Sequence, residues 1–288
     1  MKVVIDCVHC YLKQAVSCMT MANIDADKQH EILYSLMDDV KNLDRNGTPC
    51  DNSSEIIFKA YEKIGIRDPY ESVKKESNDM ALSLYEKLEK IISKSNNRLY
   101  DALKIAVAGN VIDLGINRNF DIDAALEQSL KKGFAVDDFD KFYNLIKKSD
   151  SVLILGDNAG EIVFDKILVK ELKALNKKVI YSVKSGAVLN DSTMYDAHYT
   201  GMDEIAQVVE SGSSYLGTPL TKISNEFKDI MYNAPVIISK GQANYESLSE
   251  EKTLLDKIFF LLKIKCECVG TDANAPFGEM VFFKKGVK

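Results

Sequence analysis

Three short stretches in the C-terminal half carry the residues best suited to chemistry. They are Asp157-Asn158 between Gly156 and Gly160, Asn190-Asp191 after Gly186, and Lys240-Gly241 with Asn244, Tyr245 and Glu246 close behind. Carboxylate and carboxamide oxygens are hard donors, suited to Mg²⁺ or Mn²⁺, which take few protein ligands and keep several waters. Asp157, the Asn158 side-chain carbonyl and Asp191 therefore make a candidate ligand set with room left for a phosphoryl oxygen. Lys240 would neutralise a non-bridging phosphate oxygen, a common electrostatic device in phosphoryl transfer. Gly156 and Gly160 permit a tight turn, and the helix expected to start near Gly160 favours an anionic group. Glu161 and Asp165 fall on the first turns of that helix. Glu161 reads either as a carboxylate that orients water beside the metal loop or as a favourable charge at a helix start.

Each stretch also has a plainer reading as a turn, a helix cap or a solvated lysine. What favours chemistry is position, because all three follow directly on apolar runs. SVLIL (151–155) is wholly apolar, as in a strand buried on both faces, and KVIYSV (178–183) and PVIIS (235–239) are two further strands. Helical spacing of apolar residues marks 161–175, 202–211, 219–232 and 254–264, with strands expected at 266–269 and 280–283. Strand–helix–strand alternation with connections of this length implies right-handed crossovers and a parallel sheet. Ligands of such sheets bind beyond the carboxyl ends of the strands, where the three stretches lie.

The first half reads differently. Apolar residues recur at three and four over 11–21, 31–42, 53–64, 69–93 and 99–114, with Val73, Met80, Leu84, Leu88 and Ile91 on one face of the fourth segment. Asp25, Asp51 and Asp68 sit where helix caps belong, and Pro69 where a first-turn proline is tolerated. The expected organisation is a helical subdomain over 1–118, a short linker around 117–121, and an α/β domain over 119–288.

The 288 residues are 46% apolar and 28% charged, an ordinary globular balance. A net charge of −6 gives no basic face for nucleic acid. It is compatible with an anionic substrate, since a bound cation reverses the local field. No apolar run approaches the ~18–20 residues that span a bilayer, and Asp6, His9 and Lys13 interrupt any secretory core, so a cytoplasmic protein is expected. Six cysteines are too few for a disulfide scaffold. Cys7 and Cys10 form one CxxC without the second pair a structural zinc site needs, leaving small packed residues, a redox pair or a metal contact as readings. Cys18, Cys50, Cys266 and Cys268 read as buried hydrophobes, the last two with thiols on the same side of a strand. His30 and His198 have no partner spacing. Gly109-Asn110 interrupts a helical run, either as a helix break or as a ligand contact.

Taken together, CVHCYLKQA, TPCDNSSEI, DPYESVKKESN, KIAVAGNVIDLG, LGDNAGEIVFD, GAVLNDST, SKGQANYESL and FLLKIKC resemble the damage-control phosphatase family almost end to end. The resemblance is to its stand-alone prokaryotic branch with an N-terminal CxxC. It implies a Rossmann-like three-layer α/β/α sandwich with a mainly parallel sheet, beside an all-helical N-terminal subdomain. It also implies one divalent metal ion (Mn²⁺, Mg²⁺, Co²⁺ or Ni²⁺) on Asp157, Asn158 and Asp191. Asp157 and Lys240 are the expected catalytic residues. Asn110, Gly160, Glu161, Asn190, Lys240 and Asn244 are the expected contacts to a small phosphorylated metabolite such as a sugar phosphate. Water and Asp157 itself both remain open as the attacking group, and the oligomeric state is not readable. A binding protein that holds a nucleotide or sugar phosphate without turnover is the competing reading, weakened by the lack of GxGxxG or GxxxxGK[ST]. A metal–thiol protein built on Cys7 and Cys10 is the third.

Overall fold

The computed structural model describes residues 1–109 and 130–286. Five helices come first: α1 (Cys7–Met21), α2 (Ala26–Val40), α3 (Pro49–Ile64), α4 (Glu71–Ser93) and α5 (Arg98–Ala108). Their ends follow local chemistry. Asp25 caps α2 by accepting the Lys28 amide, and Thr48 caps α3 by accepting the Asp51 amide. Pro49 opens α3, and Gly65 closes it in the left-handed conformation.

Strands and helices then alternate: β1 (Val136–Asp137), α6 (Phe139–Lys147), β2 (Ser151–Leu155), α7 (Glu161–Ala174), β3 (Lys178–Val183), α8 (Met194–Thr200) and β4 (Gln207–Glu210). The chain continues through α9 (Asn225–Asn233), β5 (Ile237–Lys240), α10 (Gln242–Leu248), β6 (Ile258–Lys263), α11 (Glu267–Ala273) and β7 (Met280–Phe283). The seven strands form one sheet in the order β1-β7-β6-β5-β2-β3-β4. Every pairing is parallel except β6 with β7. From β2 the chain builds outward to β3 and β4, then crosses back to lay β5 and β6 on the other side. The switch point thus lies between β2 and β5, and sheets of this kind bind ligands beyond the carboxyl ends of the strands at that point.

Side chains alternate across the sheet. Val152 and Ile154 join one core with α4, α5, α6 and α7, whereas Leu153 and Leu155 join a second core with α9, α10 and α11. Both faces are therefore covered, as expected of an α/β/α sandwich, and each fully buried aliphatic side chain contributes about 1.5–3 kcal/mol. Helices α1, α2 and α3 share a core of their own. A further cluster, including Cys18, Ile57 and Tyr61, packs them on Val188 and Leu216 of the loops beyond β3 and β4. The first three helices thus roof the carboxyl edge, while α4 and α5 lie on a face of the sheet. The expected boundary at 118/119, the linker around 117–121 and Asn110 lie outside the described residues.

Four expectations are corrected. The segment 254–264 is not a helix: IFFLLK forms β6, an apolar run whose length and burial on both faces suit a strand. Conversely, 266–269 is not a strand, because Cys266 caps α11 by accepting the Val269 amide. Residues 202–211 hold turns and β4 rather than a helix, and the helix expected over 219–232 begins only after its Ser224 cap. On α4 the expected face packs on the sheet core through Met80, Leu84, Leu88 and Ile91, and the helix also buries Lys74, Ser77, Asn78, Ala81 and Ile92.

Candidate active site

The loops after β2 and β3 are tied into one unit. Asn158 and Asp191 form an isolated antiparallel bridge. The Ala159 amide donates to the Asn190 carbonyl and the Ser192 amide to the Asp157 carbonyl, both at 2.8 Å. The second loop turns on Leu189, which has a φ of 44°. That strained position is held from the helical roof, where the Leu189 amide donates to the Tyr61 hydroxyl at 2.9 Å. Asp157, Asn158 and Asp191 are thus brought together, with both carboxylates almost fully buried.

Charge is concentrated here. Asp157, Glu161, Asp165 and Asp191 are buried here with the ammonium groups of Lys184 and Lys240, and buried Lys74 acts on Asp191 from α4. Burial, then the Glu161 and Asp191 charges, hold the Asp157 carboxyl well above its ordinary range. Burial also lifts Asp191 to about 6, although Lys184 and Lys74 pull it down. Lys184 Nζ lies 3.5 Å from Asp191 Oδ2 and donates to the Gly217 carbonyl.

The remaining predicted residues have specific partners. Lys240 is completely buried and its ammonium donates to Glu161 and, at 2.7 Å, to Asp165 Oδ1. Those two carboxylates outweigh the effect of burial and keep Lys240 protonated. Tyr181 completes the network with a 2.7 Å bond to Asp165 Oδ2. The Gly160 amide, expected to meet an anion, donates instead to Asn78 Oδ1 at 2.7 Å. Asn244 bridges the Gly156 and Lys240 carbonyls and accepts from Thr218. Asn190 is half-buried at the loop junction through its carbonyl.

Residues 3–281 match the damage-control phosphatase ARMT1-like domain. The chain belongs to the damage-control phosphatase family. It is 31% identical over 292 residues to the damage-control phosphatase PH1575 of Pyrococcus horikoshii, with 100% of both chains covered. A damage-control phosphatase of Archaeoglobus fulgidus is 32% identical over 234 residues, 80% of each chain. The crystal structure of the Pyrococcus horikoshii protein, described as a DUF89 family protein, superposes with a TM-score of 0.91 at 30% identity, covering 99% of this chain and 100% of that one. These names support a phosphatase role, and the shared architecture is the three-layer sandwich derived above.

Within this damage-control phosphatase fold, sequence reasoning missed Asn78, Lys184, Lys265 and Tyr181. Lys184 directly follows β3 and Lys265 lies two residues past β6, positions like those that singled out the other candidates. Lys265 acts on Asp157 by charge. Gly241 is pressed against the Asp157 carboxylate with a φ of 78°, so a Cβ there would overlap it.

The donor set fits a divalent cation. Two buried, mutually repelling carboxylates and a carboxamide meet where negative charge exceeds positive. Asn158 now turns Nδ2 toward Asp157 Oδ2 at 3.3 Å, and a flip of the amide would aim its oxygen there. Among the described residues no three His, Cys, Asp or Glu side chains could hold a metal ion, and this set is two carboxylates and an amide. Among the same residues no helix is long and apolar enough to cross a membrane.

Proposed function

We propose that this chain is a divalent-metal-dependent phosphomonoesterase acting on small phosphorylated metabolites such as sugar phosphates, with one ion of the Mn²⁺, Mg²⁺, Co²⁺ or Ni²⁺ class. The observation that carries the reading is the convergence of Asp157, Asn158 and Asp191 beside the β2/β5 switch point, with both carboxylates buried. When bound, the ion supplies Lewis-acid polarisation of the phosphoryl group.

The chain's own residues do the rest. Asp157 and Asp191 hold the phosphoryl-binding centre, with water or Asp157 itself as the attacking group. Lys184 sits against Asp191 and Lys265 acts on Asp157, and together they offset charge developing on the phosphoryl oxygens. Lys240 serves as a positioning residue, since its ammonium fixes Glu161 behind Asp157. Asn190 and the loop amides line the approach, while Asn244 and Gly160 shape the loops through their hydrogen bonds.

Phosphate release from a generic phosphate ester by chelator-stripped protein tests this, with each metal added back in turn. Turnover restored by metal and abolished by Asp157→Ala supports the reading. A metal-independent rate, or full activity in the variant, would remove it. Tight sugar-phosphate binding without turnover under any metal would favour a binding protein instead.

A further inference from the structure

Where the start of α1 meets the start of α11 lies a group of thiols that the phosphatase reading does not use. Helix α1 opens with Cys7 and Cys10, one helical turn apart and therefore on one side of the helix. The far end of the chain returns to the same place. Cys266 caps α11 and receives the Gln242 side-chain amide at 3.7 Å. Cys268 Sγ lies 3.9 Å from a carboxylate oxygen of Asp6, the residue just before Cys7. Cys266 is thus an electrostatic neighbour of both Cys7 and Cys10. Cys10 is exposed and Cys266 half-buried, whereas Cys18 and Cys50 are shut inside. Among the described residues, no three Cys, His, Asp or Glu side chains are grouped so as to hold a metal ion.

We propose that Cys10 and Cys266 form a reversible oxidation site, a disulfide that ties the first helix to the edge of the sheet. The inference does not depend on the phosphatase reading. The oxidant is a low-molecular-weight disulfide. The Cys10 thiolate, after losing its proton to water, attacks one sulfur of the small disulfide, whose S–S bond breaks and releases one small thiolate. The Cys266 thiolate then attacks the Cys10 sulfur of the mixed disulfide and expels the second small thiolate. Two protein thiols are oxidised by two electrons, and the small disulfide is reduced to two thiols, which take up the two protons. Cys10 goes first because it is the accessible member, and Cys266 resolves because it is the half-buried electrostatic neighbour of both α1 thiols.

The test incubates the full chain with glutathione disulfide, blocks remaining thiols with N-ethylmaleimide in denaturant and reads the intact mass. The alkylated thiols should fall from six by one pair, and dithiothreitol should reverse the change. Peptides mapped without reduction should join Cys10 to Cys266. In Cys266→Ser the reaction should stop at a glutathione adduct on Cys10. All six thiols remaining alkylated, a map joining Cys7 to Cys10, or a stable adduct on Cys10 of the wild type would each overturn the proposal. So would a Cys266→Ser chain that still loses a pair.

Discussion

Asn78 of α4 holds the first turn of the helix behind the loop that carries Asp157 and Asn158: its Oδ1 accepts the Gly160 amide at 2.7 Å. Its Nδ2 donates to Asp196 Oδ1 at 2.8 Å, and Asp196 Oδ2 accepts the Thr193 amide just past Asp191. One buried carboxamide therefore braces both loops from outside the sheet. Asn78→Ala leaves a buried N–H and a buried carboxylate short of a partner. Urea unfolding of the stripped protein should show a loss of about 2–3 kcal/mol, with weaker metal binding alongside. Unchanged stability and unchanged metal affinity would refute the bracing role.

Gly241 has a different task, which is to let the backbone pass the Asp157 carboxylate. Gly241→Ala adds a methyl group where that carboxylate sits, in a left-handed conformation that also disfavours a side chain. A displacement of this kind should reduce turnover by about 10²-fold with the circular dichroism retained. Gly65→Ala is the control, since Gly65 has a similar φ of 76° but open space around it. It should cost about 1–2 kcal/mol of stability and leave turnover alone. Equal activity losses in the two variants would contradict the account.

Lys240→Met removes the cation shared by Glu161 and Asp165. An uncompensated buried carboxylate costs about 3–5 kcal/mol. In the wild type, burial, offset in part by Lys240, lifts Asp165 to about 6 from its ordinary 3.8. With the folded value above the unfolded one, its contribution favours the fold below the unfolded value and is lost as pH rises through about 6. The deficit of Lys240→Met should thus be larger at pH 8 than at pH 5. Denaturation midpoints at the two pH values check this, and a pH-independent deficit would argue against buried charge as the cause.

Metal binding should compete with protons. Burial lifts the Asp191 carboxyl to about 6, and burial with the Glu161 and Asp191 charges also raises Asp157 well above its ordinary range. A cation requires both as carboxylates, so apparent affinity should climb as pH rises through about 6 and fall below it. Calorimetry in buffers of different ionisation enthalpy should detect protons released on binding. An affinity that is flat across this range would be inconsistent with these ligands.

How far the sequence revealed this arrangement depended on whether a contact was local. SVLIL and the residues after it put Asp157 and Asn158 just past β2, where the fold has them, because a strand buried on both faces has a recognisable composition. Asp191 followed from the same rule applied to β3. The order of strands depends on long-range pairing, so the switch point between β2 and β5 could be recognised only in the fold. IFFLLK satisfied helical spacing and strand composition alike, and only its pairing with β5 and β7 decided between them. Lys240 looked like a phosphate ligand because no local pattern reveals that Glu161 and Asp165 face it. Asn78 did leave a trace: it continues the inward stripe of Ala81, Leu88 and Ile92, where a polar residue needs a buried partner.

The most direct measurement is a titration of chelator-stripped protein with Mn²⁺ by calorimetry, comparing the wild type with Asp191→Asn and Asp157→Asn. The account predicts one ion per chain in the wild type. Each variant should lose most of that affinity while unfolding in urea no earlier than the wild type, since each removes a repelling charge. Wild-type stoichiometry and affinity retained in both variants would contradict the assignment of the metal to Asp157, Asn158 and Asp191.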